Sequence, residues 1–330
     1  MRTIIVGGQY GDEGKGKILS HLALKDDPDI IARGGVGPNA GHEVNYKGKR
    51  YPLRMVPCGF VNERSRLLIG AGVCVNPEVF LKELDLINGH KRTFIDFRAG
   101  LITRENIERD GASENSRRIG TTKTGCGPAV SDRVNRIGRR VADEPALKQY
   151  LTDVVKEVNE AKDVMVEGTQ GFMLSLLYGT YPFVTSKDTS ASTIAADVGL
   201  GPTSIDEVIM VMKSYTTRVG SGPLRDELEM EAAKARNMQE YGTVTGRPRR
   251  TSPELHFDDL RFAASVNGAT QVAMTKIDVR FPGNQGVKEY SKLTKEAKAF
   301  IEDAQKKIGV PITLIGTGPD ALDIIDRRQE

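Results

Sequence analysis

The chain has 330 residues, of which 38% are hydrophobic and 28% charged, with a formal net charge of +3. That length supplies an ample core for one large α/β domain or two ordinary ones, and so balanced a charge gives no argument for nucleic acid or a membrane surface. No apolar run reaches the roughly 18 residues of a membrane span, and no signal peptide precedes the first predicted strand, so the chain reads as a cytoplasmic globular protein.

In chain order, residues 3–6 predict a short apolar strand and 14–24 a helix carrying Ile18, Leu19, Leu22 and Leu24 at helical spacing. Residues 29–32 and 67–69 predict further strands. Pro77–Ile87 reads as a helix, with Asn76 as N-cap, Pro77 in the first position, and Phe80, Leu84 and Ile87 on one face. Residues 110–140, rich in Gly, Ser, Thr and Arg, read as loop rather than core. A helix is expected over 144–161, feeding a strand at 164–166. Residues 208–212 and Gln271–Thr275 predict buried strands, 256–266 and 292–308 helices, and 312–314 a last strand. Strands alternating with helices argue an α/β fold: a mainly parallel central sheet with helices on both faces. No repeat, low-complexity segment or linker interrupts it, which argues one large domain over 1–330.

Four stretches carry chemistry. GGQYGDEGKGK (7–17) stands behind the first strand and, read from Gly11, nearly spells a P-loop. Gly11, Gly16 and Lys17 fit, but Ile18 replaces the hydroxyl that normally holds Mg²⁺. Its glycines let backbone N–H groups converge on an anion, the helix N-terminus adds a positive dipole end, and Lys15 and Lys17 add full charges. Asp12 is repelled in such a site unless a cation intervenes or it acts as a base; in isolation it also reads as an N-cap. ARGGVGPNAGHEV (32–44) is a second glycine loop ending in His42, a candidate acid or electrophile. In TKID (275–278), Asp278 can accept from N1–H and the 2-amino group of guanine while the Lys276 stem covers the base. GTVTGRPRR (242–250) gathers Arg247, Arg249 and Arg250, whose guanidinium forks suit a dicarboxylate or phosphate; an RNA contact lacks the aromatic interleaving it would need. Two polar loops, 119–136 and 167–186, can serve a ligand or the surface equally. Cys58, Cys74 and Cys126 are odd in number without C-x-x-C, and no histidine sits at ligand spacing from them, so reduced thiols and no zinc are expected.

In this order, GGQYGDEGKGK, NAGHE, IGTT, GPAVSDRVNR, VEGTQG, GTYPFVTS, TRVGSGP, GTVTGRPRR, TKID and TGPD resemble the motifs of adenylosuccinate synthetases over nearly the whole chain, at the length of the short, archaeal-type form. The resemblance implies a homodimeric, Mg²⁺- and GTP-dependent ligase of purine biosynthesis. It would join IMP and L-aspartate to give adenylosuccinate, GDP and phosphate through 6-phosphoryl-IMP. It implies catalytic roles for Asp12, His42 and Lys15, with Asp12 both ligating Mg²⁺ and taking the N1 proton of IMP, and the Gly41 carbonyl as a further metal ligand. GTP would meet Gly11, Glu13, Gly14, Lys15, Gly16, Lys17, Gly41, Arg249, Lys276, Asp278, Gly316, Thr317 and Gly318. IMP would meet Asp12, Asn39, Thr122, Gln170, Thr185 and Arg247, with Arg136 supplied across the dimer interface. L-aspartate would meet Thr243, Val244, Thr245, Arg247 and Arg249. The sequence departs from the pattern at Tyr10 (usually Trp), Pro38, Glu43 (usually Thr or Ser) and Thr124 (often basic). Phage-type relatives that act on dGMP resemble the same short form. Many replace the loop aspartate and weaken the guanine motif; both are intact here, which favours IMP and leaves dGMP as the alternative. A GTP-binding regulatory module without ligase chemistry would want Ser or Thr at position 18 and no arginine pair at 247 and 249.

Overall fold

Ile4 and Val6 turn to one side of their strand and Ile5 to the other, and all three are buried, so this strand is covered on both faces. The alternation repeats in its neighbours. Val164, Val166, Val208, Met210 and Met212 join one core, while Met165, Ile209 and Val211 join the other. Two apolar layers therefore sandwich one sheet.

The computed structural model describes residues 1–242 and 246–329. Among them, ten strands form the main sheet, in the order Ile324–Asp326, Ile312–Gly316, Gln271–Thr275, Glu207–Lys213, Arg2–Gly7, Val164–Glu167, Ile30–Arg33, Arg66–Ile69, Thr93–Asp96 and Leu151–Thr152. Every neighbouring pair is parallel except the first, which is antiparallel. Arg2–Gly7 lies inside the sheet between strands far away in sequence, so chain reversals there open a crevice at the carboxyl ends of the parallel strands. No helix among the described residues is long and apolar enough to cross a membrane.

Most expected elements form within a few residues. Pro77–Ile87 is helical with the Asn76 side chain accepting from the Val79 N–H. The final long helix is Lys295–Ile308, capped by Thr294. Two readings are corrected. Residues 110–140 hold helices Glu114–Ile119 and Cys126–Val134; they are short and polar, so they bury few residues and leave no apolar period to read. Within 144–161, Pro145–Tyr150 is a 3₁₀ turn, Leu151–Thr152 an edge strand, and only Val154–Glu160 an α-helix, started by Asp153 as N-cap. The hairpin His42–Tyr46 and Lys49–Leu53 and the strands Thr93–Asp96 and Ile324–Asp326 carry too few residues to announce themselves.

Candidate functional site

The phosphate-type loop runs from Gly7 to the helix Lys15–Asp26. Gly14, at φ 89°, takes the N-cap position in a left-handed conformation that a side chain disfavours. Glu13 does not face outward. Its buried carboxylate accepts the N–H groups of Gln9 (3.0 Å) and Gly11 (2.8 Å) and pairs with Lys15 Nζ (2.8 Å). Lys15 Nζ also donates to the Gln170 carbonyl. Thr275 Oγ1, from the guanine-type motif, donates to the Glu13 carbonyl at 2.6 Å. A Cβ at Gly171 would lie 2.5 Å from the Gly11 nitrogen, so glycine there lets the next loop press against this one. Glu13, expected to meet GTP, is thus an internal brace of the loop. Lys17 also departs from the P-loop reading: its Nζ donates to the Gly318 carbonyl and to that of Asp323 (2.8 Å), and burial lowers its pKa to about 8. In the described structure it anchors the segment around Gly316, Thr317 and Gly318.

Asp12 Oδ1 pairs with Arg249 at 2.7 Å, while the buried Oδ2 has no partner among the described residues. Burial raises the Asp12 pKa above the usual carboxylate value against the opposing pull of Arg249. His42 closes the second glycine loop. Its Nδ1 contacts Glu167 Oε1, and its buried Nε2 has no partner. Because an ionised carboxylate only accepts, Nδ1 carries the proton. Glu167 Oε2 also meets Arg33 (3.3 Å) and the Cys58 N–H (2.9 Å). Arg33 and Glu167 are register partners on adjacent strands, both fully buried. His42, Cys58 and Glu167 lie close enough to suggest a metal, but Arg33 NH1 stands 3.4 Å from His42 Nδ1 and supplies the positive charge such an ion would bring.

These carboxylates have a pH consequence. Burial would raise Glu167, but His42 and Arg33 outweigh it and hold it at about 2; burial of Glu240 is likewise outweighed, by Lys213 and Lys276, again giving about 2. The unfolded chain, with ordinary values near 4.5, binds more protons through the acid range. Their contribution to stability is present above pH 4.5 and drains as pH falls towards 2. Thermal melts across that window should show Tm falling, and Glu167→Gln should flatten part of the fall.

An open cleft of about 1240 Å³ adjoins the loop, lined by Gly11, Asp12, Asn39, Gly41, Thr122, Gln170, Thr185, Arg247 and Arg249 among others. Asn39 Nδ2 donates to Thr185 Oγ1 at 3.3 Å, joining two expected nucleotide contacts. Arg247 donates to the Gly120 carbonyl at 2.9 Å. Buried Asp110 holds the same loop through Thr121 Oγ1 (3.0 Å) and the Gly125 N–H (2.9 Å). Thr124 Oγ1 lies 3.0 Å from that of Thr122, and the basic residue lining the cleft here is its neighbour Lys123, at φ 54°. Glu43 is occupied by its own hairpin, accepting from Asn45 (3.0 Å) and Arg50 (2.6 Å). Arg136 is exposed and does not line the cleft of its own chain. Thr243, Val244 and Thr245 lie outside the described residues.

Outside the lining of that cleft, Asp278 Oδ1 is buried without a partner among the described residues. Lys276, at φ 66°, follows its strand in a left-handed conformation, as does Gln170 at φ 57°; such backbone, rare for residues with side chains, concentrates at functional sites. Thr317 is buried, with Oγ1 donating to the Val287 carbonyl at 2.8 Å, its N–H donating to the Asp323 carbonyl at 2.9 Å and its carbonyl accepting the Gly286 N–H at 2.7 Å. Sequence reasoning missed Arg33, Glu167, Lys213 and Glu240. The first three end buried strands and are 0%, 0% and 1% exposed. A charged residue closing an apolar strand is the signal that could have found them.

Ten buried side-chain polar atoms among the described residues have no partner, and five belong to Asp12, Asn39, His42, Gln170 and Asp278. Unpaired buried polar atoms are costly, and three of these residues, Asp12, Asn39 and Gln170, line the one cleft, which marks it as a candidate ligand site. The adenylosuccinate synthetase family model matches residues 4–151 and 143–282. Adenylosuccinate synthetase of Archaeoglobus fulgidus is 55% identical over 335 residues, covering 99% of this chain and 98% of that one. That of Methanocaldococcus jannaschii is 52% identical, covering 99% and 97%. The fully ligated adenylosuccinate synthetase of Plasmodium falciparum superposes with a TM-score of 0.91 at 25% identity, covering 99% of both chains. The succinoaminodeoxyadenylate synthetase of cyanophage S-2L, bound to dGMP and dATP, shares the fold with a TM-score of 0.83 at 24% identity, covering 99% and 95%.

Proposed function

The chain belongs to the adenylosuccinate synthetase family, and from that premise we propose that it joins IMP and L-aspartate at the expense of GTP, as one ligase domain working in a cytoplasmic homodimer. The observation that carries the site assignment is the cleft beside the first glycine loop, where Asp12, Asn39 and Gln170 each keep a buried polar atom without a partner among the described residues.

In this reading Asp12 removes the N1 proton of IMP as a positioned general base. The charge moves to O6, which attacks the γ-phosphorus of GTP, giving 6-phosphoryl-IMP and GDP. The amine of aspartate then displaces phosphate at C6. Asn39, Thr122, Gln170 and Thr185 hold IMP, and Arg247 and Arg249 grip the aspartate carboxylates bidentately. His42 Nε2 faces the phosphoryl oxygens, and Lys15 keeps positive charge beneath the loop. Asp278 and Lys276 read guanine. The unpartnered Asp12 Oδ2 and the Gly41 carbonyl are hard oxygen donors of the kind Mg²⁺ prefers. When bound there, the ion neutralises charge on the phosphates. The exposed Arg136, flanked by Val134 and Ile137 at 73% and 74% exposure, suits a contact across a dimer interface.

The decisive assay offers IMP or dGMP with aspartate, GTP and Mg²⁺. Adenylosuccinate formation from IMP is expected, and turnover on dGMP alone would move the chain to the phage-type reaction. Asp278→Asn gives a second expected outcome. An amide cannot accept both guanine donors but can donate to a 2-oxo group, so GTP should lose about 10²-fold in kcat/KM relative to xanthosine triphosphate, measured in parallel assays.

A further inference from the structure

Glu240 has no part in the chemistry above, yet it touches both ends of the site. Its carboxylate receives Lys213 Nζ at 2.9 Å and the Tyr215 hydroxyl, and Lys276 Nζ stands 3.7 Å away. Its backbone carbonyl accepts the Arg249 N–H at 2.8 Å, and the Arg249 guanidinium meets Asp12 at 2.7 Å. Lys213 and Tyr215 are almost wholly buried, and the Lys213 N–H donates to Gln9 Oε1 at 2.9 Å, inside the phosphate-type loop. Lys276 is the freest of the three side chains on this carboxylate, at 39% exposure.

We infer that Glu240 is a positioning residue linking base recognition to aspartate capture: it sets the placement of Lys276 with its side chain and of Arg249 with its backbone. The inference rests on the roles proposed for Lys276 and Arg249. A carboxylate fixed by Lys213 and Tyr215 gives Lys276 one defined resting position. Any shift of Glu240 when a base engages Lys276 is transmitted to Arg249 through the backbone hydrogen bond between them and the Gln239 amide that donates to both carbonyls. Binding at the two ends is then linked, and the linkage is reciprocal.

The test is an equilibrium titration of L-aspartate into the IMP- and Mg²⁺-loaded protein, with GDP, with IDP (which lacks the 2-amino group), or with neither. None of these mixtures can turn over. In the wild type, GDP should tighten aspartate about tenfold and IDP less. In Glu240→Gln the GDP effect should fall within about twofold of none, with IMP affinity unchanged. Lys276→Met should remove a similar share, and the double variant no more. Full enhancement in Glu240→Gln, no enhancement in the wild type, or additive losses would each overturn the inference. Should Glu240→Gln fail to fold, Tyr215→Phe, which deletes one hydroxyl from the same carboxylate, replaces it under the same criteria. Failure of the functional reading is separate: it would appear as no adenylosuccinate from IMP, GTP and aspartate in the wild type.

Discussion

Asp12→Asn is expected to lower kcat by about 10³-fold or more, with the fold intact. Asparagine keeps the shape of the side chain but can neither take the N1 proton nor offer an anionic oxygen to Mg²⁺. The structural cost is small because the lost pairing is one ion pair with Arg249, in which both side chains retain some exposure (16% and 14%), and the other oxygen has no partner among the described residues. Turnover of IMP, GTP and aspartate should therefore collapse while Tm moves by only a few degrees. GTP binding measured without turnover separates the two tasks. If affinity with Mg²⁺ survives while kcat falls, proton removal dominates; if both fall, the metal contact does. A kcat within about tenfold of wild type would remove Asp12 from the chemistry.

Much of the fold was legible because the buried strands are short and nearly all apolar. Ile4, Ile5 and Val6, or Val272, Ala273 and Met274, cannot sit on a surface, and parallel strands covered on both faces produce such runs. The region after residue 110 was illegible for the opposite reason. Ser113 caps a six-residue helix that buries only Ser116, so no hydrophobic period marks it. The buried residues with unpartnered atoms were legible where glycine motifs flag them, as at Asp12 and His42. Their supports were not: Glu167 stands 125 positions from His42, and Arg249, though flagged by its loop, was not expected to pair with Asp12. Lys17 shows what a motif leaves unsaid. Its position matches a phosphate lysine, yet the path of its helix delivers the ammonium to the carbonyls of Gly318 and Asp323.

His42→Ala is expected to cost about 10²- to 10⁴-fold in kcat, and Glu167→Gln a comparable share, because the two act as one unit. To donate to an anionic phosphoryl oxygen, Nε2 must carry a proton while Nδ1 keeps its own, and a carboxylate behind Nδ1 stabilises that imidazolium. Burial works against it, lowering His42 to about 4, with Glu167 as the main opposing charge. Glutamine holds the ring but removes the charge, so kcat should fall while KM for aspartate stays within about threefold. The substitution also strips Arg33 of its buried partner, at a cost of about 3–5 kcal/mol in stability. Melting curves must accompany the kinetics, and assays belong well below the lowered Tm. The double variant separates the effects. If Glu167 acts through His42, then Glu167→Gln in the His42→Ala background lowers kcat no further, whereas two independent contributions would multiply. Multiplication would place the role of Glu167 elsewhere in the crevice, through Arg33 or the Cys58 backbone it also holds.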